Sequence, residues 1–142
     1  MLTSKYFKTQ ELVDKETYNL LGENAIKLID TDLIKTIDAI REILNVPLIC
    51  NNWHKNGTRQ NCGFRTQKCK IGAKNSYHKN GQAVDLISYK MTAKEMREIL
   101  EQNKEKLPLP IRIEKENNNG EIDWLHVDMG NKTNDKIYFF KA

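Results

Sequence analysis

An α+β fold, with a small antiparallel sheet packed against helices, is what this chain of 142 residues predicts. Three observations carry that reading. Helical periodicity occupies the first third of the chain and one later stretch. Strand-like segments separated by turn signals gather in the second half. Hairpin-type connections outnumber strand–helix–strand units, and this favours an antiparallel sheet covered by helices.

The elements follow in order. The first 25 residues read as short, irregular helical pieces, with Thr9 or Asp14 as caps, Leu12, Val13, Leu20 and Leu21 as apolar anchors and Gly22 as the end. Residues 31–45 give the clearest helix, because Leu33, Ile34, Ile37, Ile40 and Leu44 recur at helical spacing. Asp30 or Thr31 caps it, and Asn45 and Pro47 stop it. Residues 48–53 read as a short buried strand. Between His54 and Asn75 aliphatic residues give way to glycines and cations, and the stretch reads as a long loop of the kind that is often functional. Residues 82–88 are a strand, carried by Ala83, Val84, Leu86 and Ile87. Thr92 and Glu95 form a capping box that opens a helix with Met96, Ile99 and Leu100 on its apolar side, ending near Lys106 before Pro108. Residues 109–114 alternate as a strand, Asn117-Asn118-Asn119-Gly120 is a hairpin turn signal, residues 124–129 return, and Ile137 to Phe140 form a terminal strand.

Composition narrows the class. Apolar residues make up 39% and charged residues 30%, as in a globular protein, and the length fits one domain with a core of its own, so the whole of 1–142 is read as a single domain. No apolar run approaches the roughly 18–20 residues that a membrane span needs. The segment Met1 to Lys8 lacks the apolar core and cleavage site of a secretory signal. The expectation is synthesis in the cytoplasm, with another agent releasing the protein if its target lies outside. A net charge of +4 favours anionic polymers without selecting one. Cys50, Cys62 and Cys69 form no C-x-x-C pair, so reduced thiols are expected, with a Cys62–Cys69 bond as the alternative under oxidising conditions.

The most informative stretch runs from Ser76 to Asp85, and it gains its meaning beside Asp123-Trp124-Leu125-His126. His78 falls in the loop before the 82–88 strand, where Gly81 lets the chain turn. Asp85 lies on the strand between Val84 and Leu86, where a carboxylate is costly unless paired or metal-bound. His126 lies on the 124–129 strand. With these two strands adjacent, His78, Asp85 and His126 converge on one Zn²⁺, and three protein ligands with an open fourth position describe a catalytic site. Asp123 lies three residues before His126. On a regular strand it would point to the opposite face, so a role as base requires a turn or a bulge there. Glu121 is a rival base, Asp128 either orients a ligand or is an exposed strand-end residue, Trp124 is core or cleft lining, and His54 reads as surface.

These segments resemble the S-x-H-x-x-G-x-A-x-D and (E/D)-x-x-H signatures of the zinc D-alanyl-D-alanine carboxypeptidases. That group includes vancomycin-resistance dipeptidases and phage L-alanyl-D-glutamate endolysins, and shares its fold with the hedgehog signalling domain. Ser76, His78, Gly81, Ala83 and Asp85 occupy every fixed position of the first signature. The resemblance spans roughly residues 50–130, and Tyr6 to Leu12 is similar to an N-terminal motif of phage and bacterial members. It implies a hedgehog/DD-peptidase-like fold, zinc held by His78, Asp85 and His126, and Asp123 as catalytic base. Cys62-Gly63-Phe64-Arg65 is similar to an S-G-x-R element whose arginine steadies the oxyanion, with Cys62 in place of the usual serine; Arg59 competes with Arg65 for that role. Ser76 would bind substrate. The function so implied is a zinc-dependent peptidase of peptidoglycan stem peptides, of carboxypeptidase or endopeptidase type, monomeric and acting on the cell wall. The rival is a non-catalytic zinc-containing module that binds peptidoglycan or builds a phage particle. A nucleic-acid binder is disfavoured, because the basic loop lacks a stacking array.

Overall fold

The computed structural model describes residues 2–142. Its helices are α1 (Thr9–Leu12), α2 (Lys15–Leu21), α3 (Thr31–Leu44) and α4 (Ala93–Gln102), and its strands are β1 (Ala83–Leu86), β2 (Ile111–Asn117), β3 (Gly120–Asp128) and β4 (Ile137–Lys141). Together they make an α+β fold with one four-stranded sheet in the order β1-β3-β2-β4.

The helices form where capping and periodicity place them. Asp14 accepts a bond from Thr17 N–H and starts α2. Gly22 ends α2 at φ 60°, and the chain runs straight on into a 3₁₀ stretch, Gly22–Leu28. Asp30 caps α3, Asn45 closes it in the left-handed region at φ 52°, and Leu33, Ile34, Ile37, Ile40 and Leu44 are its buried side. The Thr92–Glu95 capping box forms as expected. α4 stops at Gln102 and not near Lys106, because the Asn103 side chain donates to Ile99 O at 2.8 Å and a 3₁₀ turn, Lys104–Lys106, follows.

Two strand expectations need correction. Residues 48–53 contribute only a bridge between Ile49 and Ile87. Asn51 and Asn52 spend their side chains on backbone groups of Val13, Cys62 and Arg59, and this local bonding replaces a ladder. The sheet is also mixed rather than antiparallel. β3 pairs antiparallel with β1 and β2, but β4 pairs parallel with β2. β3 ends beside the start of β2, and the connection passes that end before β4 begins opposite Ile111. Asn131 fastens the connection by donating to Ile111 O and Asp135 O at 3.0 and 2.8 Å.

Alternation divides the sheet into two faces. Val84, Leu86, Ile111, Ile113, Leu125 and Val127 are buried in the core shared with α3 and α4. Asp85, Arg112, Glu114, Trp124, His126, Asp128 and Phe140 line a cleft on the other face. One irregularity interrupts β3. Glu114 pairs with His126 and Glu116 with Glu121, so Lys115 alone faces the four residues Ile122 to Leu125. Arg97 of α4, only 4% exposed, holds this bulge: its guanidinium donates to Glu121 Oε1 at 3.1 Å, Ile122 O at 3.2 Å and Trp124 O at 3.4 Å.

Candidate metal centre

His78 comes from a 3₁₀ turn, Tyr77–Asn80, which packs against β1. Ser76 starts that turn by accepting from His78 N–H at 3.2 Å. Gly81 ends it at φ 68°, where an added Cβ would also collide with Leu28 O. The His78 ring is buried, and its Nδ1–H donates to Gly63 O at 2.9 Å. That bond fixes the tautomer and leaves Nε2 facing Asp85 Oδ2 at 3.4 Å. Gly63 has no room for a side chain, since a Cβ there would lie 2.2 Å from Leu12 O.

Asp85 on β1 and His126 on β3 are directly opposite each other in the sheet. His126 Nδ1 lies 2.9 Å from Asp85 Oδ1, and Nε2 lies 2.8 Å from Asp128 Oδ2. One ligand atom from each of His78, Asp85 and His126 lies within 4.8 Å of the others, so the three could hold a metal ion. The donor set suits one. Both histidines have their outer nitrogens engaged by protein acceptors, and both turn the remaining nitrogen toward the same carboxylate.

Within the cluster the carboxylate and the two imidazoles stabilise one another's charge. Burial works against ionising Asp85, but hydrogen bonds and charge from His126 and His78 outweigh it and hold the carboxyl below its ordinary range. Burial also opposes a charged His126, yet its bonds to Asp128 and Asp85 raise its pKa to about 9. These shifts are one interaction seen from its several members.

The other expected residues divide. Arg65 belongs to the site: it is 8% exposed and donates to Asp85 Oδ2 at 3.3 Å and to Asn61 O at 2.7 Å. Arg59 faces elsewhere, donating to Cys50 O and Asp85 O, and so clamps the backbone of β1. Ser76 lines the cleft, which has a volume of about 420 Å³. Asp123 sits in the bulge, as the sequence reading required. It is exposed, however, and lines a separate depression of about 330 Å³ with Ser88, Met91 and Arg97, not the cleft. Glu121 pairs with Arg97 beside that depression. His54 lies in the turn Trp53–Lys55, half-buried against Trp53 with neither ring nitrogen bonded. All three cysteines are free thiols.

Three side chains that the sequence did not single out complete the cleft. Arg112 pairs with Asp128, Phe140 covers the Arg112 guanidinium, and Glu114 stands across from His126. Burial raises the Glu114 pKa, and among the described residues its carboxylate has no hydrogen-bond or ion-pair partner. The only sequence signal for Arg112 and Glu114 is their alternation with Ile111 and Ile113, which marks a polar face but does not say which strand it neighbours. No family model, no curated protein and no solved structure matches the chain.

Proposed function

We propose that this chain is a zinc-dependent peptidase acting on the stem peptides of peptidoglycan, on a hedgehog/DD-peptidase-like fold. The observation that carries the reading is the convergence of His78, Asp85 and His126 within 4.8 Å, at a cleft large enough for a short peptide. The two signatures that hold these ligands add the substrate class. When bound, zinc supplies a Lewis acid for the scissile carbonyl and makes water more acidic.

The remaining roles fall to the chain's own groups. Ser76 and the wall around it hold the peptide. Arg65 offers a buried guanidinium to negative charge developing on the carbonyl oxygen, and preorganised donors of this kind are a large part of catalysis. A carboxylate must accept a proton from the attacking water and return it to the leaving amine. The resemblance gives that task to Asp123, whereas Glu114 is the unpaired carboxylate inside the cleft.

The test is hydrolysis of purified peptidoglycan with and without a chelator, followed by mass spectrometry of the products. Chelator-sensitive release restored by zinc supports the peptidase, and the fragment masses identify the bond. The position of Asp123 outside the cleft favours a second reading, a zinc-containing module without activity. Protein that carries one zinc and releases no fragment would establish that alternative.

A further inference from the structure

The outer nitrogen of His126 meets a charged group where that of His78 meets only a carbonyl. Asp128, which receives it, is fully buried. Asp128 is fixed from three further directions: Arg112 donates through Nε to Oδ1 at 2.8 Å and through Nη2 to Oδ2 at 3.0 Å, and Gly130 N–H donates to Oδ1 at 2.9 Å. A forked pair of this kind sets direction as well as distance. Arg112 is held in turn by two rings, with its guanidinium carbon 4.1 Å from the centre of Phe140 and 5.0 Å from that of Tyr77. Tyr77 precedes His78, and Phe140 belongs to β4, so the last strand and the first ligand turn both bear on the second histidine.

A fully buried carboxylate hydrogen-bonded to both a guanidinium and an imidazole is not needed for an ordinary strand end. It does have a use behind a metal-ligating imidazole. An acceptor at one ring nitrogen fixes the proton there, presents the lone pair of the other and makes that nitrogen a stronger donor. We propose that Asp128 and Arg112 are positioning residues that hold His126 with Nδ1 toward Asp85, so that the metal affinity of the site depends on a carboxylate and a guanidinium that do not touch the metal. The inference rests on the metal reading of His78, Asp85 and His126.

The test measures zinc binding to the full chain by competition with a chromophoric chelator, beside thermal melting of the metal-free proteins and the ¹⁵N spectrum of the histidine rings. Asp128→Asn is expected to weaken zinc binding about 10- to 100-fold. Arg112→Met moves affinity in the same direction, and the double variant is no worse than Asp128→Asn, because the two residues act as a unit. Should the methionine variant not fold, Arg112→Lys keeps the charge, loses the fork and gives a weaker effect of the same sign. In the zinc-loaded protein the His126 ring shows ligation at Nδ1 with the proton retained on Nε2. A merely structural ion pair would shift melting and leave both zinc affinity and the ring spectrum unmoved, and that result overturns the positioning role alone. Failure of the unaltered protein to take up zinc, or uptake unchanged in Asp85→Ala, overturns the metal reading together with it.

Discussion

At the scale of single residues, the proposed peptidase has two candidate bases, and the geometry separates them. Glu114 lines the cleft and Asp123 does not. Glu114→Gln is therefore expected to lower peptide hydrolysis about 10²- to 10⁴-fold with zinc content kept, the range for a lost general base, and Asp123→Asn less than about tenfold. The reverse result would mean that the bulge swings Asp123 into the cleft when substrate binds. His126 gives a second expectation. Its folded pKa of about 9 lies above the ordinary 6.5, so its contribution to the stability of the metal-free protein is complete below about 6.5 and lost as pH rises through about 9. The melting temperature of that protein should fall between those values. At the acid end Asp85 and Asp128 act oppositely: their carboxyls ionise below the ordinary 3.8, so stability is lost as pH falls below that value. The His78, Asp85 and His126 cluster, which could hold a metal ion, was legible in the sequence because residue type and loop–strand placement suffice to bring the three together. Arg112 and Glu114 were not, because their relevance comes from pairing β2 with β3, and the length of a strand does not state its register.

At the scale of elements, α4 does more than cover the sheet. Its buried Arg97 ties down the bulged segment that leads into His126. Arg97→Met leaves two carbonyls unsatisfied, and an expected loss of about 2–3 kcal/mol in denaturant unfolding follows from the cost of such groups. The Glu121 partner is 46% exposed at its side chain and adds little to that figure. Thr92→Ala, which removes the cap of the same helix, is expected to cost about 1 kcal/mol. Both α3 and α4 were readable from periodicity and caps, which are local. The 48–53 strand misled because Leu48, Ile49 and Cys50 look like a buried strand, while the two asparagines that follow redirect the backbone through their side chains. The direction of β4 was equally hidden. It depends on the connection passing the end of β2, a non-local event that no local pattern records.

At the scale of the whole molecule, the apolar core and the cleft occupy opposite faces of one sheet. If the cluster holds zinc as proposed, removal of the metal is therefore expected to spare the fold. A chelator should leave the far-ultraviolet circular dichroism unchanged, and zinc at 100 times its Kd should raise the unfolding free energy by about 2.7 kcal/mol, the value that mass action sets. No helix among the described residues is long and apolar enough to cross a membrane. The general class, α+β, was visible from the order of the elements. The mixed pairing was not, for the reason that applies to β4.

The backbone contact between Gly63 and α1 carries the alignment of His78 into the first part of the chain. Gly63, whose carbonyl orients the ring, packs so close to Leu12 that an added Cβ would meet Leu12 O, and Phe64 N–H donates to Leu12 O at 2.8 Å. If the chain is the proposed peptidase, an antibody or small molecule that pries at residues 9–14 would thus act as a non-competitive inhibitor. It would lower the fraction of molecules with a correctly turned histidine and leave the affinity of the others for peptide untouched.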